Sequence, residues 1–398
     1  MTFEPRAREP ESSADPLISR MQTFGTTIFA EMSALATRTG SVNLGQGFPD
    51  YAGPSVVLDA AIEAIRSGAN QYPPGRGIPA LRQAIADHQR HWYGLDIDPD
   101  TEVLVTVGAT EAIAACVQAL VEPGDEVVVL DPTYDSYDAT IALAGAVARH
   151  VPLLPPSFAL QPAALAAAFS ERTRLVLLNT PHNPTGRVLT REELMLVAEL
   201  ATRYGALIVA DEVYEHLVFD GRQHVPIATL PGMAERTLTI GSAGKTFSVT
   251  GWKVGWVTGP ARLVTAVTTV KQFLTYVGSG PLQPGVAVGL AEPDSTFAAQ
   301  AQSLARRRDL LRDGLAQVGF DVLDAESGYF LLADAAPLGA DDGVDFCWDL
   351  PERVGVVAIP ARVFCADPDP LRSYVRFAFC KREEVLLQAL ERLGRLSG

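Results

Sequence analysis

Two stretches, Gly241-Ser242-Ala243-Gly244-Lys245-Thr246 and Gly251-Trp252-Lys253-Val254-Gly255, set lysines among small residues that let a backbone come close to a ligand. Lysine is scarce in this chain: it occurs only at 245, 253, 271 and 381, so 28 of the 32 basic residues are arginine. A solvated surface has no need of lysine in particular. An amine that loses its proton and attacks a carbonyl to form a Schiff base must be lysine, because arginine stays protonated. This segment, with Lys245 and Lys253, is therefore the expected seat of the chemistry.

Other groups of the right type stand at the ends of apolar runs. Asp211 closes Ala206-Leu207-Ile208-Val209-Ala210, which puts a carboxylate at the carboxyl end of a buried strand, with Tyr214 three residues on. Such an Asp also serves as a helix cap or loop ion pair. Asn179-Thr180-Pro181-His182-Asn183-Pro184-Thr185-Gly186 is a turn that offers the Asn183 side chain as a donor. Gly108-Ala109-Thr110 joins a strand to a helix start, where free N–H groups and the helix dipole favour an anion such as phosphate; Thr110 as a simple cap is the alternative. Ser242 and Lys253 are placed to complete the same cradle. Arg376 lies in Tyr374-Val375-Arg376-Phe377-Ala378-Phe379, a mostly apolar strand, and needs either an internal carboxylate or a substrate carboxylate to neutralise it.

Two decoys fall away. Gly244-Lys245-Thr246 resembles the end of a P-loop, but the first glycine of that motif would be residue 239, which is Thr239, and the acidic strand precedes the lysine. His88 and His91 lie on a polar helical stretch and are expected to be solvated, so no metal site is expected.

The elements that must position these groups alternate. Glu102 to Val107, Glu126 to Leu130, Leu175 to Leu178, Ala206 to Ala210, Thr237 to Ile240 and Trp252 to Thr258 read as strands, with helices over Thr110 to Val121 and Arg191 to Tyr204. This alternation predicts an α/β fold, a mostly parallel sheet with helices on both faces and ligands gathered beyond the strand ends. After about residue 290 a long helix (Thr296 to Val318) and separate strands at Gly328 to Leu332, Val356 to Ile359 and Tyr374 to Phe379 predict a smaller α+β domain. The expected division is an N-terminal arm and part of the small domain over 1–50, a large domain over 51–290, and the rest of the small domain over 291–398.

With 398 residues, 47% hydrophobic and 20% charged, the chain has the composition of a soluble globular enzyme. Its net charge of −15 argues against nucleic acid and anionic membranes as partners. No apolar run approaches membrane-spanning length, Met1 to Pro16 reads as a polar arm and not a signal peptide, and the four cysteines show no pairing pattern. A cytoplasmic setting without disulfides is expected.

Taken together, Asn183-Pro184-Thr185-Gly186, Asp211-Glu212-Val213-Tyr214, Ser242-Ala243-Gly244-Lys245 and Gly251-Trp252-Lys253-Val254-Gly255 resemble the class I/II aminotransferases of pyridoxal-phosphate fold type I. Order and spacing match over nearly the whole chain, with Gly45-Gln46-Gly47-Phe48-Pro49-Asp50 and Gln71-Tyr72-Pro73-Pro74-Gly75 in place near the front. The resemblance implies pyridoxal 5'-phosphate bound covalently by Lys245, its ring nitrogen facing Asp211, its phenolic oxygen facing Asn183 and Tyr214, and its ring stacked on Tyr134. Gly108, Ala109, Thr110, Ser242 and Lys253 would hold the phosphate, with Tyr72 reaching it from a second subunit of a homodimer that shares its sites. Arg376 would bind the α-carboxylate of amino and 2-oxo acid substrates, helped by Asn183 and the backbone at Gly47, with Phe29 and Tyr276 as candidate pocket walls. The fuller strings Asn43-Leu44-Gly45-Gln46-Gly47-Phe48-Pro49-Asp50, Thr106-Val107-Gly108-Ala109-Thr110-Glu111-Ala112-Ile113 and Asp211-Glu212-Val213-Tyr214-Glu215-His216-Leu217-Val218-Phe219-Asp220 look most like bacterial N-succinyldiaminopimelate aminotransferases, and are also similar to kynurenine and glutamine/methionine aminotransferases. A β-lyase acting on cysteine conjugates would use the same lysine. Arg362, where that resemblance leads one to expect a serine-like residue, reads either as a contact for a distal carboxylate or as a surface charge.

Overall fold

The alternation of strands and helices closes into sheets in the computed structural model, which describes residues 16–397. All of the expected N-terminal arm except Pro16 lies outside the described residues. Helix Ile28–Thr39 begins where the Thr27 hydroxyl accepts from the Ala30 N–H and ends on Gly40 in the left-handed region. It leads into a short strand, β1 (Val42–Asn43).

Seven strands build the large sheet: β2 (Val103–Val107), β3 (Glu126–Asp131), β4 (Val147–Pro152), β5 (Thr173–Asn179), β6 (Leu207–Asp211), β7 (Thr237–Ser242) and β8 (Val254–Thr258). Their order is β2-β8-β7-β6-β5-β3-β4, and every pairing is parallel except the two made by β8. Near-continuous Val, Ile and Leu runs suit strands buried on both faces; β3, β6, β7 and β8 are buried at every position. Helices Gly108–Leu120 and Ala261–Leu274 pack together, and Arg191–Tyr204 is fixed at its start by a reciprocal capping box between Thr190 and Glu193.

The reversed strand β8 matters for function. Parallel strands bring their carboxyl ends to one edge, and β8 runs the other way, so its first residues share that edge. Lys253, just before β8, thus joins Gly108 after β2, Asp211 at the end of β6 and Ser242 at the end of β7.

The C-terminal elements are β9 (Asp321–Val322), β10 (Phe330–Asp334), β11 (Val356–Val357), β12 (Ile359–Pro360) and β13 (Tyr374–Ala378). Four of them form an antiparallel sheet, β12-β13-β10-β9. The strand expected over Val356 to Ile359 is divided: β11 pairs in parallel with β1, whereas β12 joins β13. The N-terminal β1 is thereby hydrogen-bonded to the C-terminal part of the chain. The long helix Asp294–Val318 packs on Glu383–Leu393. No helix among the described residues is long and apolar enough to cross a membrane, and all four cysteines are free.

Gly255 shows how tightly the two site-bearing edges meet. A Cβ there would lie 2.7 Å from the carbonyl carbon of Gly108 and 2.9 Å from the Ala109 nitrogen, backbone atoms with no rotamer to yield. Gly255→Ala is expected to cost about 1–3 kcal/mol of stability by overpacking, measured by urea denaturation, and to weaken anion binding at Gly108 and Ala109.

Candidate functional site

Beyond the carboxyl edge of the large sheet lies a cavity of about 330 Å³, closed on its far side by residues of the small sheet. Gly108, Ala109 and Thr110, at the start of helix Gly108–Leu120, form one end with Ser242 and Lys253. Gly108 has φ +69°, and a Cβ there would lie 3.3 Å from Lys253 Nζ, so the ammonium sits directly over the helix start. Asp211 and Tyr214 line the cavity from the segment that leaves β6, Asn183 from the turn after β5, and Tyr134 from the loop after β3. The β5–β6 register sets Asn179 opposite Asp211. Asn179 then donates to the Asp211 carbonyl at 2.9 Å and accepts from the Asn183 N–H at 2.8 Å, tying the two loops together.

Lys245 follows β7 in the short helix Ala243–Thr246, and the Tyr329 hydroxyl donates to its carbonyl at 3.0 Å. Its ammonium lies 5.5 Å from the centre of the Tyr214 ring and 5.2 Å from that of Tyr329 and, among the described residues, donates only to the Gly47 carbonyl, at 3.5 Å. Burial lowers its pKa, which favours the free amine a nucleophile requires. Asp211 is 4% exposed. Burial pushes its carboxyl from a usual value near 3.8 up to about 6, while hydrogen bonds from Tyr137 and the Val213 N–H, and the nearby Lys245 ammonium, pull it down.

Arg376 is the most unusual group. It is 1% exposed in the middle strand β13, with its Nε unpartnered and no carboxylate paired to it among the described residues. Its bonds go to the Asn183 Oδ1 at 3.4 Å and the Gly45 carbonyl at 3.2 Å. Phe330, Phe364 and Phe29 surround the guanidinium, with ring centres 3.9, 4.6 and 5.1 Å away. Burial lowers its pKa to about 10, so it remains charged at neutral pH. The ring of Phe330 explains Gly47: a Cβ at 47 would stand 2.3 Å from Phe330 Cζ.

Of the residues singled out from sequence, Lys245, Asp211, Tyr214, Asn183, Arg376, Gly108, Ala109, Thr110, Tyr134, Ser242, Lys253, Gly47 and Phe29 all border this one cavity. Tyr276 does not. It sits past helix Ala261–Leu274 with φ +63°, is 56% exposed, and packs edge-on to Tyr72 at 5.5 Å; Tyr72 itself is 80% exposed. Neither ring lines the cavity. Arg362 is ion-paired to Asp342 and does not line this cavity.

His88 corrects the expectation of a solvated side chain. It is 3% exposed, and its Nε2 lies 2.7 Å from that of His216, while His91 remains exposed beside Asp294. With Glu215 the two histidines make a buried group of metal-ligand type. Two nitrogens on one zinc ion would stand about 3.3 Å apart, so 2.7 Å is the spacing of a hydrogen bond. Burial lowers His88 to about 4 and holds His216 well below its usual value, so both are neutral at pH 7 and one ring nitrogen donates to the other. Sequence reasoning also missed Tyr137, Phe330 and Phe364, apolar or aromatic positions with no charge to mark them.

A buried lysine, a strand-end carboxylate, a lysine over a helix start and a buried arginine, gathered in one cavity of this fold, are the groups that a pyridoxal-phosphate enzyme of fold type I needs. Residues 39–393 match the family described as aminotransferase class I and II, and the chain belongs to it. The chain is 54% identical over 391 residues, 96% of its length and 98% of the relative's, to a Mycobacterium tuberculosis protein named as a probable N-succinyldiaminopimelate aminotransferase. It is 41% identical over 384 residues to a methionine aminotransferase of Escherichia coli, covering 96% and 99% of the two chains. Against the solved structure of N-succinyldiaminopimelate aminotransferase from Mycobacterium tuberculosis the TM-score is 0.94, with 96% of this chain and 100% of that chain covered. The enzyme is pyridoxal-phosphate dependent, and its residues fit that cofactor: a cation and a glycine cradle at a helix start suit a phosphate, and a buried carboxylate at the cavity floor suits a ring cation.

The Asp211 carboxyl gives a pH test. Its folded pKa is raised, so its favourable contribution is full below about 4 and is lost as pH rises through about 6. Cofactor-free Asp211→Asn should therefore gain stability relative to cofactor-free wild type across that window, by on the order of 2–3 kcal/mol, and hold the gain above it. Urea denaturation at a series of pH values measures this.

Proposed function

We propose that the enzyme moves an amino group between glutamate or 2-oxoglutarate and N-succinyl-LL-2,6-diaminopimelate or its keto form, the step of lysine biosynthesis for which the Mycobacterium tuberculosis relative is named. The observation that carries the site assignment is the buried, unpaired guanidinium of Arg376, sharing a cavity with Lys245. A desolvated cation with no carboxylate in direct contact, Asp135 acting on it only from a distance, is costly to bury, and a substrate α-carboxylate is the anion that offsets this.

In this reading Arg376 binds the α-carboxylate and its aromatic slot excludes water from the contact. Lys245 would attach the cofactor and, as the free amine, carry at its Nζ the proton that leaves the substrate α-carbon. Pyridoxal phosphate, when bound, supplies the aldehyde and the electron-withdrawing ring. Asp211 would hold a proton at the ring nitrogen, Asn183 and Tyr214 would donate to the ring oxygen, and Tyr134 would pack on the ring. Thr110, Ser242, Lys253 and the amides of Gly108 and Ala109 would hold the phosphate. The exposed Tyr72, with Tyr276 against it, reaches the neighbouring site in a homodimer. The four free cysteines support a reducing, cytoplasmic setting.

Lys245→Ala should leave no borohydride-trapped cofactor adduct at residue 245 and no turnover. Arg376→Ala should raise the KM for amino acids roughly 10²-fold while the cofactor stays bound, read by steady-state kinetics and visible absorbance. Turnover of the succinylated pimelate substrate with glutamate, ahead of methionine and kynurenine, tests the substrate assignment. Mixed subunits carrying Lys245→Ala and Tyr72→Ala should regain activity through hybrid dimers.

A further inference from the structure

We infer that Tyr137 is a positioning residue that sets the protonation of the cofactor ring by holding Asp211 in its ionised form, an inference that rests on Asp211 facing the ring nitrogen. The Tyr137 hydroxyl donates to Asp211 Oδ2 at 2.7 Å, and the contact is buried on both sides. The other oxygen, Oδ1, has only the Val213 N–H at 3.4 Å. Tyr137 thus supplies the one short hydrogen bond to this carboxylate among the described residues.

The hydroxyl has no competing use, and its orientation is fixed. Tyr137 lies in the first turn of helix Ser136–Ala144, its N–H bonded to the Tyr134 carbonyl, and its ring packs edge-on against Tyr134 at 5.6 Å. The backbone of Asp211 is held separately, through Asn179 and the Thr180 N–H. Removing the Tyr137 hydroxyl should therefore leave the main chain in place and change only the stability of the carboxylate charge.

A donor to the ionised form lowers a carboxyl pKa, and burial raises it. Here the two act against each other on one group: burial lifts Asp211, and Tyr137 is the largest influence pulling it down. A carboxylate and a facing ring nitrogen share one proton. With Tyr137 present the proton resides on nitrogen; without it the carboxyl competes better, and the ring becomes a weaker electron sink.

The experiment compares holoenzyme of wild type, Tyr137→Phe and Asp211→Asn, each loaded with cofactor labelled with ¹⁵N at the ring nitrogen. The ring-nitrogen resonance of Tyr137→Phe should move towards the neutral-pyridine position, with its pH midpoint lowered by roughly one to two units. The kcat should fall about tenfold or more, with the KM for the amino acid nearly unchanged. Should Tyr137→Phe fold poorly, 3-fluorotyrosine at 137 preserves the shape and strengthens the donor, and should hold the nitrogen protonated to higher pH. A resonance unmoved in both Tyr137 variants, with Asp211→Asn shifted, overturns the role of Tyr137 alone. A resonance unmoved in Asp211→Asn overturns the placement of Asp211 beneath it.

Discussion

Three charged groups, the Lys245 ammonium, the Asp211 carboxylate and the Arg376 guanidinium, share one cavity without forming an ion pair with one another. Contact between any two would neutralise both and leave nothing for a ligand. Keeping them apart and desolvated costs several kcal/mol per charge, and rigid elements around the cavity must sustain that cost. Each charge is accordingly fixed from a different place: Lys245 from β7, Asp211 from β6, Arg376 from the middle of the small antiparallel sheet.

Rigidity follows from how these elements are buried. Strands β6, β7 and β8 expose no residue, and glycines at their meeting points admit no side chain. The reversal of β8 puts a second lysine on the edge where the parallel strands end, so Lys253 and Lys245 share one framework. On the opposite wall, the slot of three phenylalanines keeps Arg376 dry while leaving its donors turned towards Asn183 and Gly45. The N-terminal segment joins that wall through β1 on β11 and through Phe29, so residues far apart in sequence close the cavity together.

The neutral aromatic residues do as much as the charged ones. Tyr137 stabilises the ionised carboxylate, Tyr329 holds the Lys245 backbone, and Phe330 fills the space that Gly47 leaves open. Tyr72 and Tyr276 stand outside, exposed and in contact with each other.

Much of the site was legible in the sequence, because the chemistry demands residue types that few positions supply. Only lysine can be the amine, only four lysines exist, and one lies among glycines and serine after an apolar run. Asp211 was readable for a similar reason: a carboxylate at the end of a buried strand points where parallel sheets bind ligands. The partners of these groups were not readable. That Tyr137 meets Asp211 depends on β3 and β6 flanking β5 in the sheet, which no local pattern specifies. The polar stretch around His88 predicted solvent, but the fold buried that side chain against His216, and Arg362 found Asp342 twenty positions away in sequence. Sequence by itself determined which atoms could react and the order of the elements bearing them. Tertiary structure decided which charges stay unpaired and which neutral side chains hold them, because desolvation and hydrogen bonding act between neighbours in space, whatever their separation along the chain.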